Sequence, residues 1–200
     1  MTRTPPERPG RGRRPAAEVR RGILAVTADI LLTDGVAGVT FDKIAAAAPA
    51  SKATLYKWWP SPGALAAEAY FTHVEEQLQF DDTGNIEHDL RTQLHAHVAL
   101  LNRPDVGPVI AKLIGAAQSD TELAEAWSRN YSTIRRRTAV ERLQRAKEQG
   151  QIHPDVDVQV VVDQLWGACY HRLLIPDEPL SIEFADSLIN NMSRGILVQA

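Results

Sequence analysis

The sequence predicts an all-α chain of about nine helices, on three observations. Apolar residues recur at three- and four-residue steps along most of the chain, no segment alternates apolar and polar positions long enough to build a sheet, and Ser, Thr, Pro and Gly punctuate the runs where helices start and stop. The first helix is expected from about Ala16 to Thr33, with Ile23, Val26, Ile30 and Leu31 on one face and Gly35 as its stop. Thr40 can cap a short second helix, Phe41 to Ala48, which Pro49 ends; Ser51 can cap a third, Lys52 to about Trp58, ended by Trp59-Pro60. Ser61-Pro62 has the cap and first-turn chemistry of a fourth, reaching about Phe80. Beyond the loop at Asp81 to Gly84 come Ile86 to Leu101, Val106 to Gln118, a long run from Glu122 to Gln149 closed by Gly150, Val156 to Leu174, and Ile182 to Leu197. Pro108 falls inside the sixth of these, so that helix either begins there or opens irregularly at Val106-Gly107.

At 200 residues, 44% hydrophobic and 24% charged, the chain has the composition of one or two globular domains rather than of a disordered polymer. Its one cysteine, Cys169, excludes an internal disulfide framework and a Cys-rich zinc or iron–sulfur site. Met1 to Arg21 lacks the apolar segment of a secretory signal, and apolar stretches elsewhere are broken well before the roughly 20 residues that span a bilayer. A cytoplasmic setting with no membrane partner is therefore expected.

The net charge of −3 hides an asymmetry. Met1 to Arg21 holds seven arginines and two glutamates, the stretch to Ala66 is balanced, and the remainder carries −8. A basic arm ahead of a neutral helical unit suits a polyanion, because cations that neutralise phosphates release condensed counterions. By itself the arm, with Pro5, Pro6, Pro9, Gly10, Gly12 and Pro15 around its arginines, reads rather as a solvated tail, since short basic runs are common without a polyanion to meet.

Its neighbour bears on that choice. A helix of about seven residues, a tight break at Ala48-Pro49-Ala50 and a second short helix from Ser51 have the spacing of a helix-turn-helix. Two helices this short need the first behind them, packed on Phe41, Ile44, Ala45 and Leu55, which leaves Ser51, Lys52, Ala53, Thr54, Tyr56 and Lys57 outward: small, polar or basic, as a groove-entering surface requires.

Residues 23–66 carry a resemblance. Gly35, Thr40, Ile44-Ala45, Ala48, Ser51, Thr54-Leu55-Tyr56, Trp59 and Leu65 stand at the offsets seen in the DNA-binding domain of the tetracycline-repressor (TetR) family of transcriptional regulators, over about a quarter of the chain. The resemblance implies a repressor with Ser51 to Lys57 in the major groove, Lys52, Ala53 and Thr54 near base edges, and Thr40 and Tyr56 on phosphates. It also implies division into a disordered arm (1–16), a DNA-binding domain (17–77) and a C-terminal effector-binding and dimerisation domain (78–200). Three positions depart from the family pattern: Pro49 replaces the usual turn glycine, Ala50 a valine, and Pro62 the lysine that starts the fourth helix on a phosphate. Arg13, Arg14, Arg20 and Arg21 are expected to replace that missing anchor, through the adjacent minor groove.

In the C-terminal part, Ile182, Ala185, Ile189, Met192 and Ile196 form a heptad-like seam, and Val161 and Leu165 belong to an apolar stripe on the helix before it. Such a pair of helices in each of two chains would make a four-helix homodimer interface, fitting a palindromic duplex operator, although periodicity alone fits burial in the chain's own core as well. His97, Gln118, Trp127, Tyr131, Trp166 and Tyr170 punctuate the middle helices. The family's small-molecule pocket falls in this region, and aromatic walls with a few polar groups suit a hydrophobic or aromatic effector; the same rings also serve as core. A DNA-binding dimer without any chemical effector is the alternative.

Enzymatic chemistry finds little support. His88, His95 and His97 never stand four residues apart as a helical zinc pair does, and Cys169 and His171 diverge on one helix. No cofactor or metal is expected.

Overall fold

A computed structural model describes residues 15–48, 50–75 and 79–195, and the regular elements among them are all helical. They are α1 (Ala16–Asp34), α2 (Phe41–Ala47), α3 (Lys52–Trp58), α4 (Pro62–Val74), α5 (Ile86–Leu101), α6 (Gly107–Ala117), α7 (Thr121–Trp127), α8 (Thr133–Glu148), α9 (Val158–Leu174) and α10 (Ile182–Arg194). A short 3₁₀ turn, Val36–Gly38, follows α1. Ser128–Ser132 is a π turn with helical angles at both ends, so α7 and α8 form one rod, as the long seventh helix of the sequence reading requires.

Most boundaries follow from local chemistry. The Thr40 hydroxyl accepts from the Lys43 N–H at 3.2 Å, Ser51 from Thr54 at 3.2 Å, and Ser61 from Ala64 at 3.1 Å with Pro62 in the first turn. Asn85, Asp120 and Ser181 cap α5, α7 and α10 in the same way.

Two boundaries correct the sequence reading, and a third decides between the alternatives it left open. The fourth helix stops at Val74, and Phe80 instead packs against Trp166 of α9, with ring centroids 6.1 Å apart. The sixth starts at Gly107, with Pro108 in its first turn. There the backbone passes so close to the Leu101 carbonyl that a Cβ on residue 107 would lie 2.1 Å from its oxygen, so only glycine fits. The last helix ends at Arg194 because Gly195 turns the chain out at φ 72°; Leu197 lies outside the described residues, as do Arg13, Arg14, Pro49 and Ile196.

One continuous core runs from Ile23, Leu31, Ile44 and Leu55 through Leu65 and Val74 to Leu94, Ile110, Leu113, Leu143 and Leu165. Helix α4 joins its two ends, packing on α1 and on α7. Its Ala64, Ala66, Ala67 and Ala69 are buried, and these small side chains let helices approach on more than one side. Between α5 and α8 lies an ion pair with no solvent access to either side chain: Arg142 donates to Asp89 through Nε at 3.0 Å and Nη2 at 2.6 Å. Thr83 binds the same carboxylate through its N–H at 3.2 Å, which ties the 81–84 loop to the bundle. Among the described residues no helix is long and apolar enough to cross a membrane.

Candidate nucleic-acid interface and cavity

The outward face of α3 is built from its buried side. Leu55 is fully enclosed and Trp59 nearly so, pinning the middle and the C-terminal end of the short helix to the core shared with α1, α2 and α4. Ser51, Lys52, Ala53, Tyr56 and Lys57 are then exposed and Thr54 half-buried, its hydroxyl 3.0 Å from that of Ser51. Tyr56 stands 66% exposed, the most exposed large hydrophobic residue described, and leans edge-on against Phe41 with centroids 4.7 Å apart. Thr40 is exposed beside it at the start of α2. Lys52 pairs with Asp42 and Lys43 with Asp34, so two lysines of this surface sit against carboxylates.

Arg20, expected to be an arm cation, is instead committed to the domain. Its guanidinium donates to Glu68 of α4 at 2.7 and 2.8 Å and lies 4.5 Å from the centre of the Trp59 ring. The Trp59 indole N–H donates to the same carboxylate at 2.8 Å. This cluster joins α1, the end of α3 and α4, so Arg20 positions α3. Arg21 next to it is exposed.

Farther along the chain, α5, α6, α9 and the α7–α8 rod line a cavity of about 380 Å³ that opens to solvent past Arg136, Asp163 and Leu174. His97, Trp127, Tyr131, Trp166 and Tyr170, anticipated from sequence, all line it. Gln118 does not: it ends α6 on the surface, where its side chain donates to the Ile114 carbonyl at 3.1 Å. Arg135 also lines the cavity, and sequence reasoning missed it because it stands in the cationic run Arg135-Arg136-Arg137 that reads as a solvated face. The π turn sets Trp127 and Tyr131 together, with centroids 4.6 Å apart. Tyr70 of α4 stacks on Trp127 at 5.6 Å and meets Tyr131 edge-on at 5.5 Å. The helix that packs on α1 thus also touches the cavity wall. The Tyr131 and Tyr170 hydroxyls lie 3.2 Å apart, and burial raises the pKa of both phenols.

The residues expected at a dimer seam divide. Val161, Leu165, Ala185 and Ile189 are buried in the chain's own core, and Met192 is half-buried. Helix α10 turns that stripe onto α5, where Arg91 and His95 reach Asp186 at 2.5 and 2.8 Å. An apolar stripe specifies that something covers it, and here α5 does. Ile182 stays exposed, with Val160, Leu174 and Ile175 from α9 and its end.

Comparison with known proteins bears on both sites. Residues 23–69 match the family model described as "Bacterial regulatory proteins, tetR family", and residues 80–192 match "Tetracyclin repressor-like, C-terminal domain". The chain is 32% identical over 186 residues, 93% of each protein, to the uncharacterized HTH-type transcriptional regulator YdeS of Bacillus subtilis. It is 30% identical to the DNA-binding transcriptional repressor TetR of Mycobacteroides abscessus, over 85% of this chain and 89% of that one. The crystal structure of the TetR family transcription regulator SCO0332 superposes with a TM-score of 0.84 at 51% identity, covering 90% of this chain and 100% of that one.

Proposed function

Because the chain belongs to the TetR family of bacterial DNA-binding transcriptional regulators, we propose that two copies grip a palindromic operator through the outward face of α3 and let go when a small hydrophobic or aromatic molecule fills the cavity. The observation that carries this reading is the exposure of Lys52, Ala53, Tyr56 and Lys57 on a helix whose other side is held by Leu55 and Trp59. In the groove, Lys52, Ala53 and Thr54 meet base edges, while Thr40 and Tyr56 donate hydroxyls to phosphates and Ser51 orders the start of the helix. Lys52 exchanges Asp42 for the duplex on binding. Since Arg20 is engaged by Glu68, the cationic support falls to Lys57, Arg21 and the arm arginines Arg13 and Arg14.

The second copy covers Val160, Leu174, Ile175 and Ile182, the outward apolar side of α9 and α10. Occupancy of the cavity reaches the reading head along α4 through Tyr70, with a coupling typically of about 1–3 kcal/mol. A regulator of this kind works in the cytoplasm, beside the chromosome. Selecting bound fragments from a random duplex pool tests the core of this reading, with an inverted repeat and two protomers per site expected. Recovery of no preferred sequence, or of a half-site held by a monomer, would overturn it. Thermal shift and operator release against a panel of hydrophobic compounds tests the effector, and silence in both would remove it.

A further inference from the structure

The cavity is walled largely by rings, yet two of its groups are polar in a way that aromatic packing does not require. His97 of α5 is 1% exposed, and neither of its ring nitrogens has a hydrogen-bond partner among the described residues. Tyr170 meets it edge-on, with centroids 5.5 Å apart. A neutral imidazole offers one N–H and one lone pair, and leaving both unmade inside a protein costs free energy that a bound molecule can return. Arg135 of α8 is the second group. It is half-buried in the same wall and donates to the Gln93 side-chain oxygen at 2.7 Å once that amide is oriented to suit both its neighbours. Burial, together with the positive charge of Arg135, holds His97 down at about 3, so the imidazole is neutral at physiological pH and the guanidinium's field reaches the cavity.

These features discriminate among ligands that the rings alone would accept equally. A plain arene leaves both nitrogens of His97 unmet. An aromatic ammonium ion, which Trp127, Trp166 and Tyr170 would otherwise attract through their faces, meets the like charge of Arg135, while the one carboxylate of the wall, Asp163, is already held by Arg136 at 2.8 Å. A second cavity of equal volume, lined by Ile86, Leu90, Val161, Ile189 and Met192 among others, has neither aromatic walls nor Arg135, and one of about 320 Å³ that shares Arg135 with Phe71 and Phe80 lacks His97.

We propose that the ring-walled cavity selects a flat aromatic carboxylate, its rings against Trp127, Trp166 and Tyr170 and a carboxylate oxygen accepting from the His97 N–H within the field of Arg135. A cavity of about 380 Å³ is near the lower end of the usual range of about 300–1,000 Å³ for such sites and suits a compact molecule of two or three rings. This inference rests on the reading of the cavity as the effector site and narrows it.

Three probes matched in size test it on the full chain by calorimetric titration and thermal shift: 2-naphthoate, 2-naphthamide and 2-naphthylmethylammonium. The carboxylate is expected to bind about tenfold or more tightly than the amide, the ratio that one charge-assisted hydrogen bond commands, and the ammonium ion not measurably. His97→Phe and Arg135→Gln should each shrink the preference for acid over amide while retaining the amide's affinity, and Arg135→Lys should preserve it. Should a variant fail to fold, as circular dichroism would show, the three probes on the unaltered protein still decide. Equal or tighter binding of the amide or the ammonium ion overturns the proposal and leaves the effector reading in place. Silence of all three also overturns it, whereas the effector reading itself fails only if the broader hydrophobic panel changes neither melting temperature nor operator affinity.

Discussion

His97 and the Asp89–Arg142 pair are buried ionisable groups that set how this fold answers to pH and substitution. Because His97 is held at about 3 against an ordinary 6.5, the unfolded chain takes up a proton in that window that the native chain refuses. Its contribution to stability is therefore complete above about pH 6.5 and falls as the pH drops, by about 1.4 kcal/mol per unit. Urea unfolding at pH 7.5 and pH 5 should show a loss of roughly 2 kcal/mol that His97→Phe removes; an unchanged slope in the variant would contradict this. Asp89 moves the other way. Burial raises its pKa, but hydrogen bonds from Thr83 and Arg142 outweigh that and bring it below the ordinary carboxylate value, so its contribution survives until the pH falls through the lowered value. Asp89→Ala leaves the enclosed Arg142 guanidinium with only the partly exposed Asp82 carboxylate, 3.2 Å away, and is expected to cost about 3 kcal/mol in urea denaturation. Sequence could mark His97 and Asp89 as residues of interest or of none, since what a histidine or an aspartate does depends on neighbours that folding supplies.

Elements with chemical punctuation were legible in the sequence. Helices α3 and α5 lie where Ser51, Asn85 and the closing residues place them, because capping is settled within four residues of chain. The fourth helix overran in the sequence reading because a helical apolar pattern does not register that Phe80 finds a better neighbour in Trp166, 86 positions later. The π turn is equally silent locally, since its five residues keep helical angles and only shift which side chains face inward. That shift matters at Tyr70, where α4 rests on Trp127 and Tyr131. Tyr70→Ala should leave operator binding and ligand binding each measurable while reducing the ligand's effect on operator affinity from its expected 5–150-fold range to within about twofold. Paired titrations of operator with and without a saturating ligand would check this, and undiminished release would place the coupling elsewhere.

At the scale of the whole molecule, charge is divided between a cationic N-terminus and an acidic body of −8, and the duplex decides between reading that arm as a tail or as a contact. Deleting residues 1–14 removes five arginines and is expected to weaken operator binding and flatten its dependence on salt, by roughly one unit of logarithmic slope for each phosphate that the shortened chain no longer neutralises. Equal affinity and slope in the shortened chain would make the arm a bystander. The sequence by itself determined the all-helical class, the short helix-break-helix and the exposed outer face of its second helix, because cap chemistry and apolar periodicity act over one or two turns. Tertiary structure decided the rest: that Arg20 is spent on Glu68, that α5 covers the stripe of Ala185 and Ile189, and that Arg135 and His97 share one cavity. An apolar stripe or a lone charge announces that it needs a partner, and only the packing of distant segments determines which partner it gets.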